Sequence, residues 1–173
     1  MLQALVSIGL GFVMVCAAAA DAAAQNWNEY RPENGGFRIE MPGTPRTNVV
    51  PIPVGGDETA PMTEAVVEAG KVSYLVSWLE YPDRLSRAVP AEQVLDRVRD
   101  GMAADGMLRS EKVLAGGNSA GREFLVIQPS SNAAVRIWWA GSRLYQLTVT
   151  GDPGIEAQPD TRRFLDSFNL VMP

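Results

Sequence analysis

The stretch AAVRIWWAGSRLYQLTVTG, residues 133–151, decides the fold. Its centre places Trp138 next to Trp139 in an extended run, and successive side chains of a strand point to opposite faces. The two indoles therefore cannot share one pocket. Gly141-Ser142 is a two-residue hairpin signal, with glycine supplying the positive φ of the first central position. That register sets Ala140 opposite Arg143, Trp139 opposite Leu144 and Trp138 opposite Tyr145. One face then carries Val135, Ile137, Trp139 and Leu144, and the other carries Trp138, Tyr145, Leu147 and Val149. A sheet with one wet side does not read this way. A sheet covered on both faces does.

The same doubling recurs in KVSYLVSWLEY. Val72, Tyr74, Val76 and Trp78 point one way, and Leu75, Leu79 and Tyr81 the other. With MTEAVVEAG before it and Gly70 at the turn, this reads as a strand pair. Phe37, Ile39 and Met41 alternate with Arg38 and Glu40 in a strand stopped by PGTP. TNVVPIPV contains Pro51 and Pro53, which cannot donate to a ladder, so it is an edge strand at best. GGDETAP reads as a loop, and PDRLSRAVP as a connection. From Pro90 the period changes: Ala91, Val94, Leu95, Val98 and Met102 recur at helical spacing, which predicts a helix over 90–104 closed by Gly106. MLRSEKVLA and REFLVIQ are strands, joined to each other and to residues 133–140 by GGNSAG and PSSN. A short helix over 161–168 takes Asp160 as its cap and turns Phe164, Leu165 and Phe168 inward. NLVMP ends the chain as an extended tail. The expected architecture is α+β: a central antiparallel sheet with helices on both faces, an α/β/α sandwich with the 90–104 and 161–168 helices as its covers.

Composition excludes several functions. Lys and Arg total 15 against 20 Asp and Glu, a net charge of −5. This argues against nucleic acid, whose binders present a basic face, and against strong binding to an anionic membrane surface. There is no histidine. That removes histidine metal sites and Ser-His-Asp or Cys-His nucleophile systems. The single cysteine is Cys16, so the folded region has no disulfide, thiol nucleophile or thiolate metal site.

Residues 4–20 are apolar apart from Ser7, and AAADAAAQNW offers the small residues that signal cleavage needs between Ala24 and Gln25. The expected organisation is a signal peptide over 1–24 and one domain over 25–173, placed in the periplasm or outside the cell. An uncleaved N-terminal membrane anchor is the rival reading, since MLQALVS carries no Lys or Arg. Lipidation at Cys16 is a third, against which Val15 stands where lipoprotein signals carry a small residue.

Two stretches carry a family resemblance. GGFRIEMPGTP resembles the opening strand of PsbP-like proteins, and SRLYQLTVTG followed by DTRRFLDSFNL resembles their closing strand and terminal helix. The likeness in element order spans most of 27–171 and is specific over 36–45 and 143–170. The family includes the nuclear-import protein Mog and many small exported bacterial proteins. Membership implies a central antiparallel sheet sandwiched by helices, and action by binding other proteins with no common catalytic site. The photosynthetic member acts on the lumen side at a photosystem; any histidine metal site it has cannot carry over to a chain without histidine. The shared motifs are packing and turn motifs, so no functional residue transfers through them.

The remaining motifs have plain structural readings. Asp57 and Glu58, and Asp152, Glu156 and Asp160, offer oxygen ligands for calcium, but the spacing matches no EF-hand. Gly117, Ser119 and Gly121 fit G-x-S-x-G, yet the nucleophile elbow needs a following helix and a histidine, and the chain supplies neither. The same loop lacks the lysine of a P-loop. Trp78, Trp138 and Trp139 are most simply core. The functional alternative is that one face is incompletely covered, so that Trp138 and Tyr145, with Arg136 beside them, line a groove for a partner or an apolar ligand. The reading is an exported non-catalytic binding or accessory protein that docks on an envelope protein, with no cofactor or metal and no oligomeric state implied. A periplasmic small-ligand carrier or sensor is second, and a carboxylate-dependent enzyme third.

Overall fold

A computed structural model describes residues 26–55, 57–117 and 119–171; the segment 1–24, Cys16 and the export expectation lie outside them. In chain order the strands and helices are β1 (Asn28–Tyr30), β2 (Phe37–Met41), β3 (Arg46–Gly55), β4 (Glu58–Ala69), β5 (Val72–Glu80), α1 (Asp83–Ala88), α2 (Ala91–Met102), β6 (Met107–Gly116), β7 (Ser119–Ile127), β8 (Asn132–Ala140), β9 (Arg143–Gly151), α3 (Pro159–Ser167) and β10 (Asn169–Leu170). Seven strands form one antiparallel sheet in the order β3-β4-β5-β9-β8-β7-β6, and β1, β2 and β10 form a small second one.

The β8–β9 hairpin has the register that its turn dictates: Ala140 opposite Arg143, Trp139 opposite Leu144, Trp138 opposite Tyr145. Gly141 takes a φ of +63°. Both edges of the large sheet are guarded. β3 carries Pro51 and Pro53, and β6 is broken between Arg109 and Lys112 by a bulge at which Ser110 has positive φ. Such devices discourage pairing with another chain.

The two faces are covered differently. On one, Phe37, Ile39 and Met41 of β2, with Phe164 and Leu165 of α3, pack on Ala65, Val67, Tyr74, Val76, Leu147 and Val149. This cover sits over β4, β5 and β9. On the other, Val94, Leu95 and Val98 of α2 pack with Phe124, Val126, Val135, Ile137 and Trp139 of β7 and β8. The expected pair of helical layers is thus corrected. The fold is a mixed α/β structure dominated by a large antiparallel sheet, and a small sheet supplies much of one cover. The reason lies in the chain ends. β1 and β10 pair with β2 on either side, turning what reads as a lone strand into a three-stranded plate.

Other boundaries differ locally. β4 begins at Glu58, inside the segment that reads as a loop, because Thr59 and Ala60 pair with Pro53 and Ile52. The connection after β5 contains α1, which begins after Pro82; the Pro82 carbonyl accepts from the Leu85 and Ser86 amides. Asp160 is not the cap of α3. Gln158 holds that position and Pro159 the first turn, where proline's missing N–H costs nothing; Asp160 lies just inside, suited to the helix dipole.

Candidate functional site

Trp78, Tyr145, Trp138, Gly121 and Leu114 stand in register across β5, β9, β8, β7 and β6 on one face. Phe37 packs on the first two, of which Tyr145 is buried and Trp78 partly buried. Phe37 meets Trp78 and Tyr145 edge-on at centroid separations of 5.2 and 5.7 Å, and Phe168 packs on Tyr145 at 5.5 Å. Tyr145 is 3% exposed. Its hydroxyl donates to the Gly35 carbonyl at 3.0 Å, and burial pushes its pKa up. Trp138 is half-buried and leans over the next strands. A Cβ on Gly121 would fall 2.7 Å from Trp138 Cε3, and one on Gly116 3.6 Å from Trp138 Cη2. Gly121 must therefore be bare for the indole to rest there, whereas a side-chain carbon at Gly116 would make ordinary contact with the ring.

Arg136 is committed to structure. It donates to the Leu165 carbonyl at 2.7 Å, to Asp166 at 2.8 Å and to Glu123 at 2.8 Å. Arg162 donates to the other oxygen of Glu123 at 2.8 Å. Burial raises the Glu123 pKa, but the hydrogen bonds from Arg162 and Arg136 outweigh it, and the net shift is downward. The network ties α3 to β7 and β8. The three residues expected to line a groove therefore part company. Tyr145 is core under the small sheet and Phe168, and it borders a cavity of about 920 Å³ between the β1–β2 connection and the β8–β9 turn. Arg136 holds α3. Trp138 and Arg136 are both partly exposed, and of the two only Trp138 is an aromatic ring open to a partner.

A second groove lies on the opposite face, with a volume of about 450 Å³. It runs between the C-terminal half of α2 (Val98, Met102) and β4 (Met62, Glu64), over Leu79, Leu144, Gln146, Thr148 and Thr150. Its floor is ordered in rows. Met62, Leu79 and Leu144 form an apolar row, and Glu64, Ser77 and Gln146 a polar one beside it. Tyr81 closes one end, packed edge-on against Trp139 at 5.1 Å. The polar rows explain why α2 stops short: an apolar helix laid over Ser77, Gln146 and Thr148 would bury groups it cannot hydrogen-bond. Ser77 and Thr148 are already buried with hydroxyls that find no partner. Burial raises the pKa of Glu64. The face-by-face reading misses this groove because it follows the apolar residues; the signal that could have found it is the period-two spacing of Gln146, Thr148 and Thr150 in β9.

The acidic loops do not converge. Glu58 pairs with Arg84, and Asp152 with Lys71 at 3.8 Å. No three His, Cys, Asp or Glu side chains gather as a metal site among the described residues. Ser119 begins strand β7, so no helix follows it as a nucleophile elbow requires. No helix among the described residues is long and apolar enough to cross a membrane.

No protein-family profile and no curated protein matches the chain. Among solved structures it is similar to the solution structure of cyanobacterial PsbP (CyanoP) from Synechocystis sp. PCC 6803. The TM-score is 0.54 at 11% identity, over 89% of this chain and 98% of that one. The likeness is therefore one of fold, and the chain has a PsbP-like fold.

Proposed function

We propose that this chain is an exported, non-catalytic binding protein of the cell envelope that docks on another protein. Trp138 is the observation that carries this reading. It is a large ring at the point where an aromatic row leaves its cover, held against cleared backbone. A tryptophan already fixed in place loses little side-chain freedom on binding, and tryptophan is enriched at the centres of protein interfaces. The apolar N-terminal segment supplies the compartment. The test places a photo-crosslinking residue at position 138 in the native cell, and in a second strain at Lys71, which is exposed. The expected result is a discrete adduct from position 138 alone, competed by excess wild type and not by a folded Trp138→Ala variant. Equal adducts from both positions, or none, would overturn the reading.

The groove beside α2 favours a second reading, a carrier or sensor of a small ligand. It is concave, half apolar, and carries a few polar groups able to orient a guest.

A further inference from the structure

We infer that the groove beside α2 takes a small cationic amphiphile, with its ammonium on Glu64 and its apolar body along Met62, Leu79 and Met102. The inference rests on the ligand-carrier reading and names the ligand class.

Charge comes first. No Lys or Arg lines the groove, and both charged residues that do, Glu64 and Asp105, are carboxylates. Several half-buried or exposed acidic groups elsewhere in the fold are matched: Glu80 pairs with Arg143, Glu111 with Arg99, and Glu123 with two arginines. Glu64 has no ion pair or side-chain hydrogen bond among the described residues, although it is half-buried. A partly desolvated carboxylate facing a cavity without a cation favours a guest that brings one.

Hydrogen-bonding capacity comes second. Ser77, the register partner of Glu64 on β5, and Thr148, which is 7% exposed, both hold hydroxyl oxygens without a partner. Buried polar groups are ordinarily paired. An ammonium has three N–H donors and no acceptor, which suits the Glu64 carboxylate, the Thr148 hydroxyl oxygen and the Gln146 amide oxygen that line the groove. A carboxylate or phosphate headgroup would meet Glu64 as a like charge.

Shape comes third. Positions two apart on one face of a strand are separated by roughly 7 Å. The apolar row therefore begins one such step from Glu64, and Met102 of α2 overhangs it. Methionine is an adaptable wall for an alkyl or aryl body.

Calorimetry on the full chain tests this with n-octylammonium, n-octanol and n-octanoate, each below its aggregation concentration and at neutral pH. The expected order is octylammonium tightest, with octanoate weaker by about tenfold or more. Glu64→Gln removes the preference for octylammonium over octanol, and near-UV circular dichroism verifies its fold. Three equal affinities, or a preference that survives Glu64→Gln, overturn the cationic class while leaving a carrier of apolar ligands standing. No binding of any of the three overturns both.

Discussion

Substituting Gly121 by alanine tests whether the Trp138 indole rests on bare backbone. The added methyl would lie 2.7 Å from Trp138 Cε3, 3.0 Å from Trp138 Cδ2 and 2.8 Å from the Ile137 carbonyl oxygen. The first two contacts are relieved only by displacing the ring, and the third only by moving a neighbouring strand. Overpacking of this kind costs about 1–3 kcal/mol. Alanine returns ~0.5–1 kcal/mol of chain entropy relative to glycine within a strand. The expected net loss is about 1–2 kcal/mol. Complete burial would make Trp138→Ala cost ~3–5 kcal/mol; the ring is half-buried, so about 2 kcal/mol is expected. The two changes should not add. With the indole gone only the Ile137 contact is left, so the double variant should be more stable than additivity predicts by at least ~0.5 kcal/mol. Urea unfolding of the four proteins, followed by far-ultraviolet circular dichroism, measures the cycle. Additivity within about 0.3 kcal/mol would show that the ring does not rest on Gly121, and the argument for a pre-positioned anchor would fall with it.

Two further predictions concern the buried polar groups. Thr148→Val replaces a buried hydroxyl without a partner by a methyl of similar shape, and should leave the urea midpoint unchanged or raise stability by up to ~1–2 kcal/mol; a clear loss would mean the hydroxyl is bonded after all. The two perturbed glutamates should behave oppositely with pH. Burial raises the Glu64 pKa above its ordinary 4.5, so its proton is held more tightly in the folded state. Stability is then lost as pH rises from 4.5 through the folded value. Glu64→Gln should melt higher than wild type at neutral pH, and the gap should close in acid. Glu123 is shifted downward from 4.5, so it contributes stability above that value, lost as pH falls through the folded pKa. Glu123→Gln should melt lower at neutral pH, with the deficit shrinking in acid. Melting curves at a series of pH values decide both, and parallel profiles would contradict the assigned environments.

Much of the fold is legible where a local signal fixes a long-range fact. Gly141-Ser142 sets the register of nine residue pairs from Asn132–Gly151 to Ala140–Arg143, and the alternation in β5 and β9 carries that register across the sheet. The small sheet is not legible because its flanking strands are three and two residues long, too short for any period to show. α1 hides between Pro82 and Pro90, which read as punctuation of a loop. Asp160 resembles a cap by residue type, but Pro159 pre-empts the helix start. The fate of Tyr145 depends on Gly35, 110 positions away, and nothing local announces that hydrogen bond. The groove was half legible. Its floor follows from polar residues at alternate positions, whereas its wall depends on where α2 comes to rest.

The adjacent tryptophans and both candidate sites have one physical origin. The two covers are offset. The plate of β2 and α3 sits over β4, β5 and β9 on one face, and α2 sits over β7 and β8 on the other. Strand chemistry follows the offset. β5 and β9 turn Ser77, Gln146 and Thr148 toward the face that α2 leaves open, and β6 turns Arg109 and Lys112 toward the face that β2 does not reach. β8 lies where the covers overlap, so apolar residues occur on both of its sides: Ala134 under one cover, Val135 and Ile137 under the other, with Arg136 between Ala134 and Trp138 committed to Glu123 and α3. Two tryptophans in sequence are tolerated there and on few other strands. Trp139 points under α2 and is closed over by Tyr81. Trp138 points to the margin of the opposite cover, where β7 offers Gly121 in place of a side chain. The uncovered quarters are thus diagonal to each other across the sheet. One presents a fixed aromatic ring, and the other a groove with a carboxylate. The two surfaces lie on opposite faces of the sheet, so binding at Trp138 and binding beside α2 should be independent as long as β8 and β9 hold their register.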